Sequence, residues 1–427
     1  MKMNKKLSLL FKGSATLATL SLLGACAGDT ADTDTDSDAG SNGSDASVEE
    51  LSVWIMGDGN EQAQEIFDAY TEETGIDINL QSIPWASSHD RLLTAVASGD
   101  GPDVVQMGSS YMAEFTDAGA LADLTEHIEA SDSLNADNFY EGNINTTRID
   151  DAYYGVPWYT ETRALYYRTD LLEEVGYPDG PNTWDELSDA AMQLSERGDD
   201  MYGFDINFEE QTFGFMFARQ NGSEIITEDG QAVINEPEFV EAIDYLKGFV
   251  DNGSSPSQDL GLELSQTFGG EGVVPMFISG PWTMSNIQNE TTDIEGKWSV
   301  RTLPEGPENN MSNTGGANLS VWSSSENVEE AVDLIEHMTS TESLLTYYEN
   351  TSSLPARTAA WEEEPFQDEL IEVFGEQLES SEHMPVIKEW DAISQGYLST
   401  FESILIGGAD TQEALDNYNA EVQSMLD

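Results

Sequence analysis

A single cysteine, Cys26, stands in a chain of 427 residues. No intramolecular disulfide can form, so the fold must be held by its core alone. Lysine is nearly as scarce: after Lys2, Lys5, Lys6 and Lys12 only Lys247, Lys297 and Lys388 follow. Fifteen basic residues face 82 acidic ones, a formal net charge of −67 that deepens once the basic N-terminus is removed. With no basic stripe to neutralise phosphates, nucleic acid is excluded as a partner. Such charge repels itself in dilute buffer and is relieved when molar salt shortens the Debye length to about 3 Å, so it reads as adaptation to a saline habitat. Only four histidines occur, His89, His127, His337 and His383, without ligand spacing, and they read as surface residues. Neither a Gly-x-Ser-x-Gly elbow nor a His-Glu-x-x-His helix is present, and no catalytic residue, cofactor or metal is expected. Hydrophobic residues at 39% and aromatics at 9% are ample for a core, and the length suits two domains.

The start of the chain is a separate unit. Four lysines precede an apolar run through Leu17, Leu20, Leu22 and Leu23, closed by Leu23-Gly24-Ala25-Cys26. This is a secretory signal peptide, too short to span a membrane, and it resembles the lipobox of bacterial lipoproteins. The resemblance implies that Cys26 is the first mature residue and carries lipid, fixing the protein to the outer side of the cell membrane without a transmembrane helix. A buried structural cysteine would leave the flanking pattern unexplained. Residues 29–50, beginning with an Asp-Thr alternation and continuing in Gly, Ser and Asn, bury nothing and read as a disordered acidic tether. Asp32, Asp34 and Asp36 imitate the start of a calcium loop, but Ser37 and Gly43 occupy the positions that need glycine and glutamate.

From Leu51 the pattern is ordered. Leu51-Ser-Val-Trp-Ile reads as a strand, with Trp54 facing the core by alternation. A helix over 61–74 places Ile66, Phe67 and Tyr70 on one face and stops at Gly75. Ile76-Asp-Ile-Asn-Leu80 alternates as a second strand, a helix follows over 89–98, and a third strand covers 103–107. This β-α-β-α-β order predicts an α/β fold with mostly parallel sheets flanked by helices. Ligands bind beyond the carboxyl ends of such strands, here residues 57–60 and 108–111. Gly57-Asp-Gly59 lacks the third glycine of a dinucleotide loop, where Gln62 stands.

Four motifs follow in order: Gly99-Asp-Gly-Pro-Asp103-Val-Val, Gly155-Val-Pro-Trp158-Tyr-Thr-Glu161-Thr-Arg163-Ala-Leu-Tyr-Tyr-Arg168, Asn182-Thr-Trp184-Asp-Glu-Leu187 and Ser279-Gly-Pro-Trp282. Together they resemble family 1 of the bacterial extracellular solute-binding proteins, the sugar-binding subunits of ABC importers, from Leu51 to the C-terminus. The resemblance implies a periplasmic-binding-protein-like fold whose two lobes close on a sugar through a three-crossing hinge near 159–163, 313–318 and 353–357. Lobe I would comprise 51–160 plus 316–355, and lobe II 161–315 plus 356–427, after a 1–25 signal peptide and a 26–50 lipidated linker. The implied partners are a di- or oligosaccharide and ABC permease subunits, with the membrane met only through the lipid anchor and the protein a monomer.

A pyranose offers an apolar C–H face and a rim of hydroxyls, so its site needs an aromatic platform and planar polar side chains. The resemblance nominates Trp282 of the Gly-Pro-Trp motif as platform, with core packing as the other reading. Glu161 aligns with a hydroxyl-binding glutamate, and Arg163 binds a hydroxyl or holds Glu161. Asp58 matches a sugar-contacting aspartate of the family's maltose-binding members, although Gly59 replaces the lysine that follows it there. Those members place a tryptophan and charged ligands where this chain has Ser109, Ser110 and Tyr111, so the pocket shape must differ. Trp158, Phe213 and Trp390 are candidates for stacking or core, and Gly315-Gly316 for close backbone approach.

Two other classes stay open. A glycosidase needs two carboxyls about 5 to 9.5 Å apart, but 82 acidic residues leave spacing unable to nominate a pair. A binding protein for a non-sugar solute, such as polyamine, iron or oligopeptide, is the second. Tyr153-Tyr154 and Tyr166-Tyr167 tempt an iron reading, yet neighbours on a strand point to opposite faces.

Overall fold

The structure is a computed structural model that describes residues 48–57, 60–227, 229–258 and 260–427. The leader, Cys26, most of the acidic tether and Asp58 lie outside the described residues.

The first strand, Glu50–Met56, sends Leu51, Val53 and Ile55 into one apolar cluster and Trp54 and Met56 into another, because side chains alternate across a sheet buried on both faces. The helix Asn60–Thr74 buries Ile66, Phe67 and Tyr70 and ends at Gly75, whose φ of 77° a side-chain-bearing residue rarely adopts. Strands Asp77–Ile83 and Val104–Gly108 flank the first strand in parallel, with the helix Trp85–Ser98 between them in sequence. That helix starts four residues before the expected His89, since Pro84 at φ −55° leads straight into it.

The expected parallel pairing holds for this β-α-β-α-β unit. The strands that close the sheet are antiparallel, because they run back between the lobes: Val156–Glu161, Ser312–Val321 and Leu354–Pro355. The complete order is Leu354–Pro355, Val156–Glu161, Ser312–Val321, Val104–Gly108, Glu50–Met56, Asp77–Ile83. Ser381–His383 pairs as a seventh strand with the start of Ser312–Val321. A second sheet, Met276–Ser279, Ala164–Arg168, Trp298–Arg301, is wholly antiparallel.

The two sheets pack on different apolar clusters. On one face of the second sheet, Leu165 and Tyr167 join a core rich in Phe204, Phe213, Phe215, Phe217, Phe239 and Phe249. On the other, Ala164 and Tyr166 meet Phe268 and Phe374, so the paired tyrosines point apart. At about 1.5–3 kcal/mol for each fully buried large side chain, this aromatic core does the work that disulfides do elsewhere.

Two sequence features acquire structural reasons here. Asp103 of the Gly-Pro-Asp motif accepts the main-chain N–H and hydroxyl of Ser52 at 2.8 and 2.7 Å, the Ser325 hydroxyl at 2.7 Å and the Asn327 amide at 3.0 Å. It therefore clamps two strands to the loop after Val321. The chain passes between sheets through Thr162 and Arg163, which join Val156–Glu161 to Ala164–Arg168, and along Ser312–Val321. It comes back beside the first crossing at Leu354–Pro355, which pairs with Thr160 and Tyr159. No helix among the described residues is long and apolar enough to cross a membrane.

Candidate functional site

The carboxyl end of Val104–Gly108, the 159–163 crossing and the start of Ser312–Val321 converge on one cavity of about 320 Å³. That is within the range of small-molecule sites, about 300–1,000 Å³. It is lined by Trp85 and Gly108 to Tyr111, by Tyr159, Glu161, Arg163 and Asn313 to Gly316, and by Glu210 to Thr212 and residues between His383 and Trp390.

Arg163 organises the charges. Its Nη2 and Nε donate to Glu210 Oε2 at 3.1 and 3.3 Å, and Nη1 stands 3.6 Å from Glu161 Oε1. Burial works against the guanidinium's charge, but Glu210 and then Glu161 outweigh it and push its pKa up. Burial likewise works against ionised Glu210, yet Arg163's charge and hydrogen bonds from Thr212 and Arg163 hold that carboxyl below its usual range. The Thr212 hydroxyl donates to Glu210 Oε1 at 2.8 Å. The crossing itself is pinned where the Arg163 N–H donates to Ser312 Oγ at 3.1 Å and that hydroxyl donates back to the Arg163 carbonyl at 3.0 Å.

Neutral polar groups complete the lining. Tyr159 OH accepts from Gln106 Nε2 at 3.1 Å and keeps its own proton to donate, since burial lifts its pKa well above the normal value. Asn313 Nδ2 donates to the Thr212 carbonyl at 3.1 Å, while its buried Oδ1 has no partner among the described residues. Gly316 has φ 124°, and a Cβ there would meet the Tyr159 carbonyl oxygen at 2.2 Å, so only glycine allows these two strands to pair so closely. No group of three His, Cys, Asp or Glu able to hold a metal ion occurs among the described residues.

The residues nominated from sequence divide by place. Ser109, Ser110, Tyr111, Glu161, Arg163, Gly315 and Gly316 all line the cavity. Trp390 touches its edge but is 2% exposed and packs in the apolar core against Phe215, 5.2 Å between ring centroids. Trp158 is fully buried behind it, stacked on Tyr347 with centroids 4.3 Å apart, because alternation on its strand turns it to the face opposite Tyr159. Phe213 lies in the lobe core against Phe217. Trp282 is not among the residues that line this cavity, although it is exposed and borders Arg163, which does line it. Its indole folds back over Gly280, where a Cβ would strike the ring at 2.1 Å, and the Arg163 guanidinium lies 4.9 Å from its ring centroid. The cavity also holds residues not nominated from sequence as ligand contacts: Trp85, Thr146, Glu210, Gln211, Thr212, Met384 and Val386, the hinge residues Tyr159, Asn313 and Thr314, and His383. His383 corrects the surface expectation, for it is half-buried and lines the cavity at the end of a strand paired with the crossing strand, its Nδ1 2.8 Å from the Met384 carbonyl. Trp85 carries a usable signal, since it lies two residues beyond the carboxyl end of the second strand, after Pro84.

The fold matches that of the sugar-binding protein MalE from Xanthomonas citri with a TM-score of 0.82 at 27% identity, covering 88% of this chain and 97% of that one. In sequence, the galactooligosaccharide-binding protein of Bacillus subtilis is 26% identical, over 86% of this chain and 87% of its own length. A maltooligosaccharide ABC transporter solute-binding lipoprotein of Streptococcus pneumoniae is 25% identical, over 89% and 88% respectively. Residues 56–344 match the family model described as bacterial extracellular solute-binding protein, and with the two-lobed fold and the cavity at its crossings this places the chain in that family.

Proposed function

We propose that this protein binds a di- or oligosaccharide between its lobes and delivers it to the permease of an ABC importer. The observation that carries the reading is the cavity at the crossings, where planar polar groups (Glu161, Arg163, Glu210, Asn313) occur together with aromatic ones (Trp85, Tyr111, Tyr159). A carbohydrate needs this mixture, hydroxyl partners at the rim and flat apolar surface for the C–H face. The relatives whose names specify galacto- and maltooligosaccharides support the same class. The lobes are assigned as 51–160 plus 316–355 and 161–315 plus 356–427, and closure about the three crossings favours the liganded state.

The protein acts without turnover, as a monomer, tethered outside the cell membrane by lipid on Cys26. Thermal unfolding in molar KCl with a panel of maltose, maltotriose, galactobiose and spermidine tests the ligand class, because a ligand that binds only the folded state raises its stability. A sugar that raises Tm supports the reading, while a rise with spermidine alone selects the polyamine alternative. Incubation with labelled oligosaccharide must return the sugar intact; released products would indicate a glycosidase. Replacing Cys26→Ala should move the protein from the membrane fraction to the medium.

A further inference from the structure

Trp85 is 40% exposed, and it is the more exposed of the two tryptophans left open to solvent among the described residues. Unlike Trp282, the other one, it borders the cavity. Its position follows from the local sequence: the second strand ends at Ile83, Pro84 turns the chain, and Trp85 is the first residue of the next helix. Two glycines receive the indole. A Cβ on Gly57 would touch its Nε1 at 3.6 Å, and a Cβ on Gly108 would touch its six-membered ring at 3.4 Å. The ring therefore lies across the carboxyl ends of two adjacent parallel strands, seated on backbone, with its remaining surface bounding the cavity.

No ring stacking, cation–π contact or indole N–H hydrogen bond engages Trp85 among the described residues, in contrast to Trp158, Trp184 and Trp282, each of which has an aromatic or cationic neighbour. Leaving so large an apolar surface in water forfeits stabilisation that burial would provide. An indole seated on backbone, without an aromatic or cationic partner among the described residues, at the wall of a polar cavity is suited to a ligand with its own flat apolar face.

We infer that Trp85 is the lobe I stacking platform, on which a pyranose ring lays its C–H face. Trp282 then acts at one remove, through Arg163. This rests on the carbohydrate reading and assigns one sugar subsite to a defined surface.

Calorimetric titration with maltotriose and with galactobiose, in molar KCl, compares the full-length wild type with Trp85→Ala and Trp85→Phe. Affinity for the sugar that binds should fall about tenfold or more in Trp85→Ala, and Trp85→Phe should recover most of it. Thermal unfolding of the unliganded variants should match wild type, because the side chain is half exposed. Wild-type binding with a Trp85→Ala affinity within about twofold overturns the inference and leaves the carbohydrate reading standing. A loss of affinity that accompanies a lowered unliganded Tm and is not recovered by Trp85→Phe overturns it too, as a structural effect. Failure of the wild type to bind either sugar counts against the carbohydrate reading itself and removes the inference with it.

Discussion

The Arg163 guanidinium sits 4.9 Å from the ring centroid of Trp282 and 3.1 Å from Glu210, so one cation joins an aromatic ring outside the cavity to a carboxylate within it. Trp282→Ala should weaken sugar binding by about 0.5–2 kcal/mol, the span for losing a cation–π partner. The effect arises from a loosened Arg163. Isothermal titration would measure it, and a loss well above that span would show direct contact between Trp282 and the ligand.

Glu210→Gln keeps the shape of the side chain and its contact with Thr212 but removes the charge that balances Arg163. The guanidinium would be left with Glu161 at 3.6 Å as its carboxylate partner. Stability should fall by about 2 kcal/mol, read by urea unfolding. An unchanged midpoint would mean that solvent already screens the pair.

Acid should act through Asp103. Its burial opposes ionisation, but the hydrogen bonds from Ser325, Ser52 and Asn327 prevail and hold its pKa below the usual 3.8. A carboxyl depressed in the folded state stabilises fully above its unfolded pKa, and loses that contribution as pH falls through the folded value. The gap in Tm between wild type and Asp103→Ala, about 2 kcal/mol in stability near neutral pH, should thus close below about pH 3.8. A gap that persists at pH 2 would assign the cost to lost packing.

Gly316→Ala would drive a methyl into the Tyr159 carbonyl at 2.2 Å from a φ of 124°. Several kcal/mol of destabilisation is expected, about 2–4, since backbone and not a movable side chain blocks it. Thermal unfolding would show it, and a fall in Tm of less than about 2 °C would refute the tight pairing.

The N-terminal β-α-β-α-β unit was legible because alternation and helical spacing each left a clean signature, and the four ordered motifs carried the two-lobed arrangement. Residues that line the cavity were legible where a crossing or a strand end marked them, as at Glu161, Arg163, Gly315 and Ser109. Glu210 was hidden among 82 acidic residues, for nothing local distinguishes a carboxylate that will meet an arginine 47 positions away. Trp158 and Tyr159 sit on one strand with opposite faces, and spacing alone does not say which face looks into the cleft. Trp85 is not legible as a lining residue because helical spacing places the start of its helix at His89, which leaves the tryptophan in an apparent loop.

The strand Ser312–Val321 completes one sheet with its last residues and holds Ser381–His383 with its first three. No single cut in the polypeptide can separate the halves without depriving one of a rib. Gene fragments encoding either half on its own should yield insoluble product, and rotation of the halves must be taken up as torsion in this shared ribbon.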